Sequence, residues 1–318
     1  MLVAFVLSGR TARFLQFCSR RASNKNTCAS TAFLAIARHS AQRDKYNTGD
    51  IMTTLMAIGG AVDFEEPVIF KEFIKRAGGT QARIVVLPQA SGLKDTGKEY
   101  VKTFQELGVK AKPVSLEFRE RKDADKKMHL EALRNATGIF IAGGTQMRIT
   151  SIIGGTDFES ELLAAFKRGA VVAGTSAGTA VMSRVMLAYG KGGATPRERI
   201  AQFSPGLGFT DKIIFDQHFR QRDRLGRLAY AISMHPGLLG VGVDENTCAI
   251  VEDDRHITVC GKSAITIVDG NEMVSTNVAE VEGSRPVAVS GLRIHVLTEG
   301  CSFDMKKREA LIPGLRLE

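Results

Sequence analysis

The chain has 318 residues, 44% apolar and 24% charged, a composition that supports a buried core and excludes wholesale disorder. No run of about 18 uncharged apolar residues occurs, which argues against a membrane-spanning helix. Five cysteines (Cys18, Cys28, Cys248, Cys260, Cys301) at irregular spacing give neither a disulfide framework nor a zinc ligand set.

The net charge of +9 is unevenly placed. Residues 1–49 hold eight Lys/Arg against one acid, a net +7, so the remainder is close to neutral. The high charge therefore belongs to the first segment and does not mark a nucleic-acid-binding face. Met1–Gly49 is Arg- and Ser-rich, nearly free of acids and without strand or heptad pattern. It reads as a presequence of the organellar transit type or as a disordered extension. Residues 51–318 read as a single α/β domain. The expected location is intracellular: cytoplasmic, or organellar if the first segment is a transit peptide, with thiols reduced.

From Met52 the pattern alternates. Thr54–Ile58 is β-like and ends at Gly59-Gly60; Val68–Ala77 reads as a helix closed by Gly78-Gly79; Arg83–Leu87 is a buried strand stopped by Pro88. Lys98–Leu107 is amphipathic with Gly108 as its stop. Val114–Leu116 is a short strand, Asp125–Asn135 a helix, and Gly138–Ala142 a strand ending in Gly143-Gly144. Phe158–Lys167 is a helix, Ala170–Ala173 a strand, Ala177–Met186 a helix. This alternation predicts a mostly parallel sheet with helices on both faces. Gly240–Val243, Ala249–Val251, Ile257–Val259, Ala264–Val268 and Arg293–Leu297 are short β-like runs, expected as antiparallel additions to an edge of the same sheet.

The strongest chemical signal is Gly174-Thr175-Ser176-Ala177-Gly178, a G-x-S-x-G between a strand and a helix. A sharp strand-to-helix turn lifts one side chain off the sheet edge, and small neighbours allow the backbone to fold tightly. The helix N-terminus offers free N–H groups and the positive end of a dipole to an oxyanion. Ser176 is therefore the candidate nucleophile. Of six histidines, His218 is the candidate base. It ends the apolar run Ile213–Phe215 with Asp216-Gln217 before it, where parallel strands face a ligand cleft. Arg220, Arg222, Arg224 and Arg227 follow; guanidinium forks bind carboxylates in pairs of hydrogen bonds. On one continuous helix, 220, 224 and 227 would share a face. A near-miss phosphate loop, Gly92 to Glu99, ends in a glutamate where Ser or Thr must hold magnesium, which argues against a nucleotide.

Together these residues resemble the cyanophycinases, a serine peptidase family that cleaves cyanophycin, a polyaspartate with arginines on its β-carboxyls. The resemblance runs from about Thr54 to the C-terminus. Its marks are Ile58-Gly59-Gly60-Ala61, Gly143–Arg148, Gly174–Gly178, Pro205–Gly208, Asp216-Gln217-His218-Phe219 with Arg222, Arg224 and Arg227, and Gly242–Thr247. It implies a class I glutamine-amidotransferase-like, flavodoxin-like fold, a homodimer, and release of β-Asp-Arg dipeptides without metal or organic cofactor. It implies Ser176 as nucleophile and His218 as base. Gln146, Asp216, Gln217, Arg222, Arg224 and Arg227 would line the substrate site, and N–H groups near Gly144 and Ala177 would form the oxyanion hole. An aspartyl dipeptidase of the same fold is the alternative enzyme; the full arginine string argues against it.

One departure concerns the acid that orients the histidine. The family pattern places it two residues before a proline in the loop after the nucleophile helix; here that residue is Ala194. Glu198 is near enough in sequence to substitute, or a water does. If neither does, the chain is a catalytically impaired homologue that binds an acidic or isopeptide ligand.

Overall fold

The computed structural model describes residues 51–314. The expectation for residues 1–50, a presequence or disordered extension, lies outside them. The strands in chain order are β1 (Thr54–Ile58), β2 (Ile84–Leu87), β3 (Val114–Ser115), β4 (Gly138–Ile141), β5 (Val171–Thr175), β6 (Val185–Gly190), β7 (Ala201–Pro205), β8 (Ile213–Gln217), β9 (Leu239–Val243), β10 (Thr247–Glu252), β11 (His256–Gly261), β12 (Ala264–Asp269), β13 (Ser275–Thr276), β14 (Val289–Ser290), β15 (Arg293–Thr298), β16 (Ser302–Asp304) and β17 (Glu309–Leu311). The α-helices are α1 (Val68–Arg76), α2 (Thr96–Glu106), α3 (Lys127–Asn135), α4 (Gln146–Ile153), α5 (Asp157–Lys167), α6 (Ala177–Ala180) and α7 (Leu225–Met234).

The main sheet has nine strands in the order β17-β16-β11-β10-β1-β5-β4-β2-β3. Its β1, β5, β4, β2 and β3 are parallel, and β10, β11, β16 and β17 add to it antiparallel. Period-two alternation divides the buried side chains between the faces. Met56, Ile58, Val86 and Phe140 pack with Ile69, Phe70 and Phe73 of α1 and Phe104 of α2. Leu55, Ala57, Leu87, Ile139 and Ile141 pack with Leu133 of α3, Ile149 and Ile153 of α4, and Phe158 and Leu162 of α5. Helices thus cover both faces, as the alternation predicts.

The antiparallel expectation needs one correction. The runs within β10 and β11 do extend the main sheet, but β9, β12 and β15 join β8 in a second sheet of order β15-β12-β9-β8. The reason is local. β8 and β9 are parallel, joined through α7, so they form a strand–helix–strand unit with its own sheet. One face of that sheet (Phe215, Val241, Val243, Ile265, Ile267) turns to the main core, and the other lies against α7 through Ile214, Leu228, Ile232 and Val268.

Two further elements differ from expectation. The helix after Ser176 ends at Ala180 rather than Met186. Residues 181–184 are drawn away by the 207–210 segment: Leu207 N–H donates to the Val181 carbonyl, Thr210 N–H to Met182, and Arg184 N–H to Thr210. The arginine segment is also not one helix. Arg220–Arg222 form a short 3-10 turn, Asp223 breaks it at φ 48°, and α7 starts only at Leu225. Among the described residues no helix is long and apolar enough to cross a membrane.

Candidate active site

The G-x-S-x-G turn has the tight geometry its composition predicts. Ser176 sits at φ 54° and ψ −111°, a backbone conformation that side chains rarely adopt and that surrounding structure must enforce. A Cβ on Gly174 would overlap the Gly178 carbonyl, and one on Gly178 the Ile141 carbonyl. At the end of the adjacent strand, a Cβ on Gly143 would stand 3.3 Å from Ser176 Cβ, a tight contact that glycine avoids, so the end of β4 closes on the serine.

Ser176 Oγ lies 2.9 Å from His218 Nε2, and His218 Nδ1 lies 2.7 Å from Glu245 Oε1. The three side chains form a continuous serine–imidazole–carboxylate line. Serine and histidine are 42 positions apart and histidine and glutamate 27; the end of β1 brings them together. Its three successive carbonyls accept one N–H from each segment: Ile58 from Ser176 at 3.0 Å, Gly59 from His218 at 2.7 Å, and Gly60 from Asn246 at 2.8 Å. Gly59 N–H in turn donates to Thr247 at 3.0 Å. This junction requires glycine twice. A Cβ on Gly59 would overlap the Asp244 carbonyl, and one on Gly60 would intrude on the imidazole, 2.6 Å from His218 Nε2. Gly60 also holds φ 109°. Gly60→Ala is therefore expected to displace His218, lowering activity at least about a hundredfold and stability by more than about 1 kcal/mol; steady-state kinetics and a denaturant melt read both.

Glu198 is not at this site. Its Oε1 is 2.8 Å from Arg199 Nε and its Oε2 accepts from Ser284 N–H at 3.2 Å. Both His218 nitrogens already have partners in Ser176 and Glu245. Ala194 is exposed in the β6–β7 loop. The expectation that Glu198 orients the histidine is thereby corrected: the carboxylate against Nδ1 belongs to Glu245. Sequence proximity misled because the decisive relation is strand register. β8 and β9 pair parallel with Gln217 opposite Val243, so His218 and Glu245 leave neighbouring strand ends. The signal was present in Asp244-Glu245-Asn246, which closes an apolar run.

The arginine string divides in two. Asp216 is 1% exposed, Arg224 7% and Arg227 4%. Asp216 Oδ2 accepts from Arg227 Nε at 2.6 Å, Oδ1 from Arg224 Nη1 at 3.1 Å, and Arg227 Nη2 also reaches Oδ1. Arg224 Nη1 further donates to the Gln217 carbonyl. Burial brings the Arg224 guanidinium down to about 10, with Asp216 opposing it. Both oxygens of the Asp216 carboxylate are taken up by the two buried arginines, so the expectation that these three residues line the substrate site is corrected: they brace the His218 segment. Removing one member leaves buried charge uncompensated, and Asp216→Ala is expected to destabilise the fold by about 3–5 kcal/mol, readable as a lowered denaturation midpoint.

Arg222 is different. It is exposed, its N–H donates to the His218 carbonyl at 3.1 Å, and its charge bears on the imidazole. Gln217 is buried with its Oε1 unpartnered among the described residues. Gln146 is half-buried and donates from Nε2 to the carbonyls of Leu187 at 3.2 Å and Ala188 at 2.6 Å. Ala177 opens α6, so its N–H has no intrahelical acceptor. Gly144 stands at φ 141° just after Gly143.

Burial holds the His218 pKa below its ordinary 6.5; Glu245 opposes this, and the Arg222 and Arg224 charges add to it. The imidazole is then neutral, and able to accept a proton, across the neutral range. The acid limb of kcat/KM is expected to have its midpoint below 6.5. Arg222→Ala removes a cation that disfavours imidazolium, so it is expected to move that midpoint up; a pH–rate series reads the shift.

The model of peptidase family S51 matches residues 55–259, a stretch containing every residue of the line from Ser176 to Glu245. The chain belongs to peptidase family S51. It is a serine peptidase. It is 37% identical over 263 residues to a protein of Trichormus variabilis named cyanophycinase, covering 81% of this chain and 88% of that protein. It is 38% identical over 267 residues to the cyanophycinase of Geminocystis herdmanii, covering 82% and 97%. Among solved structures, a peptidase from an acI-B1 actinobacterium shares the fold at a TM-score of 0.55 and 19% identity, over 80% of this chain and 98% of that one.

Proposed function

We propose that this S51 peptidase is an exopeptidase that hydrolyses cyanophycin to β-Asp-Arg dipeptides. The observation that carries the chemistry is the unbroken line Ser176 Oγ–His218–Glu245, at 2.9 and 2.7 Å. The substrate assignment is supported by relatives named cyanophycinase at 37–38% identity over about four-fifths of the chain. Ser176 Oγ attacks the scissile carbonyl carbon as its proton passes to His218 Nε2. Glu245 accepts the Nδ1–H bond, fixes the tautomer and stabilises the imidazolium. The N–H groups of Gly144 and Ala177 receive the tetrahedral oxyanion. His218 then gives its proton to the leaving amine, and water repeats the sequence on the acyl-enzyme.

In this reading Arg222 pairs with a substrate carboxylate, while the amides of Gln217 and Gln146 contact the polar backbone of the substrate. The enzyme works as a homodimer. The impaired-homologue reading rested on Ala194, and with Glu245 against His218 that reason falls away. Incubating purified protein with cyanophycin tests the proposal. Stepwise accumulation of β-Asp-Arg is expected; an intact polymer, or release of free arginine instead, overturns it.

A further inference from the structure

Glu245 is not a rigidly buried acid: 35% of its side chain is exposed. Its hydrogen bond to His218 is not the loop's only anchor. Asp244, directly before it, is 4% exposed, and its carboxylate is bound at both oxygens. Oδ1 accepts the Arg220 backbone N–H at 3.0 Å, and Oδ2 accepts the Ser263 hydroxyl at 2.8 Å. Arg220 Nε stands 3.6 Å from Oδ2, and Asp244 N–H donates to the Ala264 carbonyl at 3.2 Å. A turn aspartate ordinarily bonds its own backbone two residues on; this one reaches across 24 positions to the turn directly after His218. A second tie runs beside it, where Glu245 N–H donates to Gln221 Oε1 at 3.1 Å. Residues 220 and 221 thus grip residues 244 and 245 from the short turn that follows the base.

We propose that Asp244, assisted by Gln221, is a positioning residue that fixes the Glu245 carboxylate against His218 Nδ1. Neither side chain is given any contact with substrate; both act through Glu245. The inference rests on the serine–histidine–glutamate reading of the site. Loss of the tie would let the loop carry Glu245 out of line, and a hydrogen bond to Nδ1 that is present only part of the time orients the imidazole only part of the time.

The test uses the full chain and a fluorophosphonate, which reports serine reactivity whatever the natural substrate. Ser176 Oγ displaces fluoride at phosphorus as its proton passes to His218, so the inactivation rate reads the relay. Asp244→Ala is expected to slow labelling about tenfold to a hundredfold. Asp244→Asn keeps an acceptor for Arg220 N–H and a polar partner for Ser263, and is expected to recover most of that loss. In a Glu245→Ala background, Asp244→Ala is expected to add less than about twofold, since residues acting through one group are non-additive. The low-field proton resonance of His218 Nδ1–H should persist in Asp244→Asn and fade in Asp244→Ala. Gln221→Leu removes an exposed bond and leaves the core untouched. It is expected to slow labelling several-fold even if Asp244→Ala does not fold, and likewise to add nothing once Glu245 is gone. Equal losses with and without Glu245, or wild-type labelling in both single variants, overturn the positioning role alone. A wild-type chain that does not react at all overturns the triad reading, and the positioning role with it.

Discussion

Ser176→Ala is expected to lower peptide hydrolysis by at least about three orders of magnitude while the protein melts as before. The substitution removes one oxygen whose hydrogen bond is to His218 Nε2. Ser176 N–H stays on the Ile58 carbonyl, and the carbonyl of residue 176 still accepts from Thr179 and Ala180. Alanine therefore takes over the turn with its backbone bonds intact. What remains after the substitution is the oxyanion site and substrate binding, which speed the reaction only weakly without a nucleophile. Progress curves at high enzyme concentration, beside a melt, read both halves of this expectation. Unchanged turnover would remove Ser176 from the mechanism.

Glu245→Gln is expected to lower kcat by roughly three to four orders of magnitude, with little loss of stability at this partly exposed position. A glutamine turns its amide or its carbonyl toward Nδ1. The amide imposes the wrong tautomer; the carbonyl leaves the imidazolium without its anion. Since Glu245 raises the His218 pKa, its removal should also move the acid limb of kcat/KM further down. Glu198→Gln is expected to change kcat less than about twofold, because Glu198 serves Arg199 and Ser284. Paired kinetics on the two variants separate the acids. A large effect at Glu198 with none at Glu245 would reverse the assignment.

Local pattern made much of this molecule legible. The parallel strands were readable because each is a short apolar run punctuated by glycine or proline, and the elbow because only small residues fit around Ser176. Helix α4 was hidden by its Ile-rich sequence, Gln146–Ile153, in which burial of Ile149, Ile152 and Ile153 rather than propensity holds the helix. The second sheet was hidden because strand partners are chosen by long-range packing. Glu245 was missed for that reason: its relation to His218 exists only once β8 and β9 pair. The inward turn of Asp216, Arg224 and Arg227 was equally invisible, since an arginine-rich string reads the same whether its charges face solvent or one buried carboxylate. Gly59 and Gly60 carried a readable sign of a tight turn, but not that the turn gathers three catalytic segments.

The central claim is that one serine, activated by His218 and Glu245, performs the chemistry. Peptide mapping by mass spectrometry after fluorophosphonate treatment tests it most directly. A single adduct on Ser176 is predicted, formed at the wild-type rate in Glu198→Gln, strongly slowed in Glu245→Gln and absent in His218→Ala. An adduct on another residue, or labelling of Ser176 that is indifferent to His218 and Glu245, would contradict it.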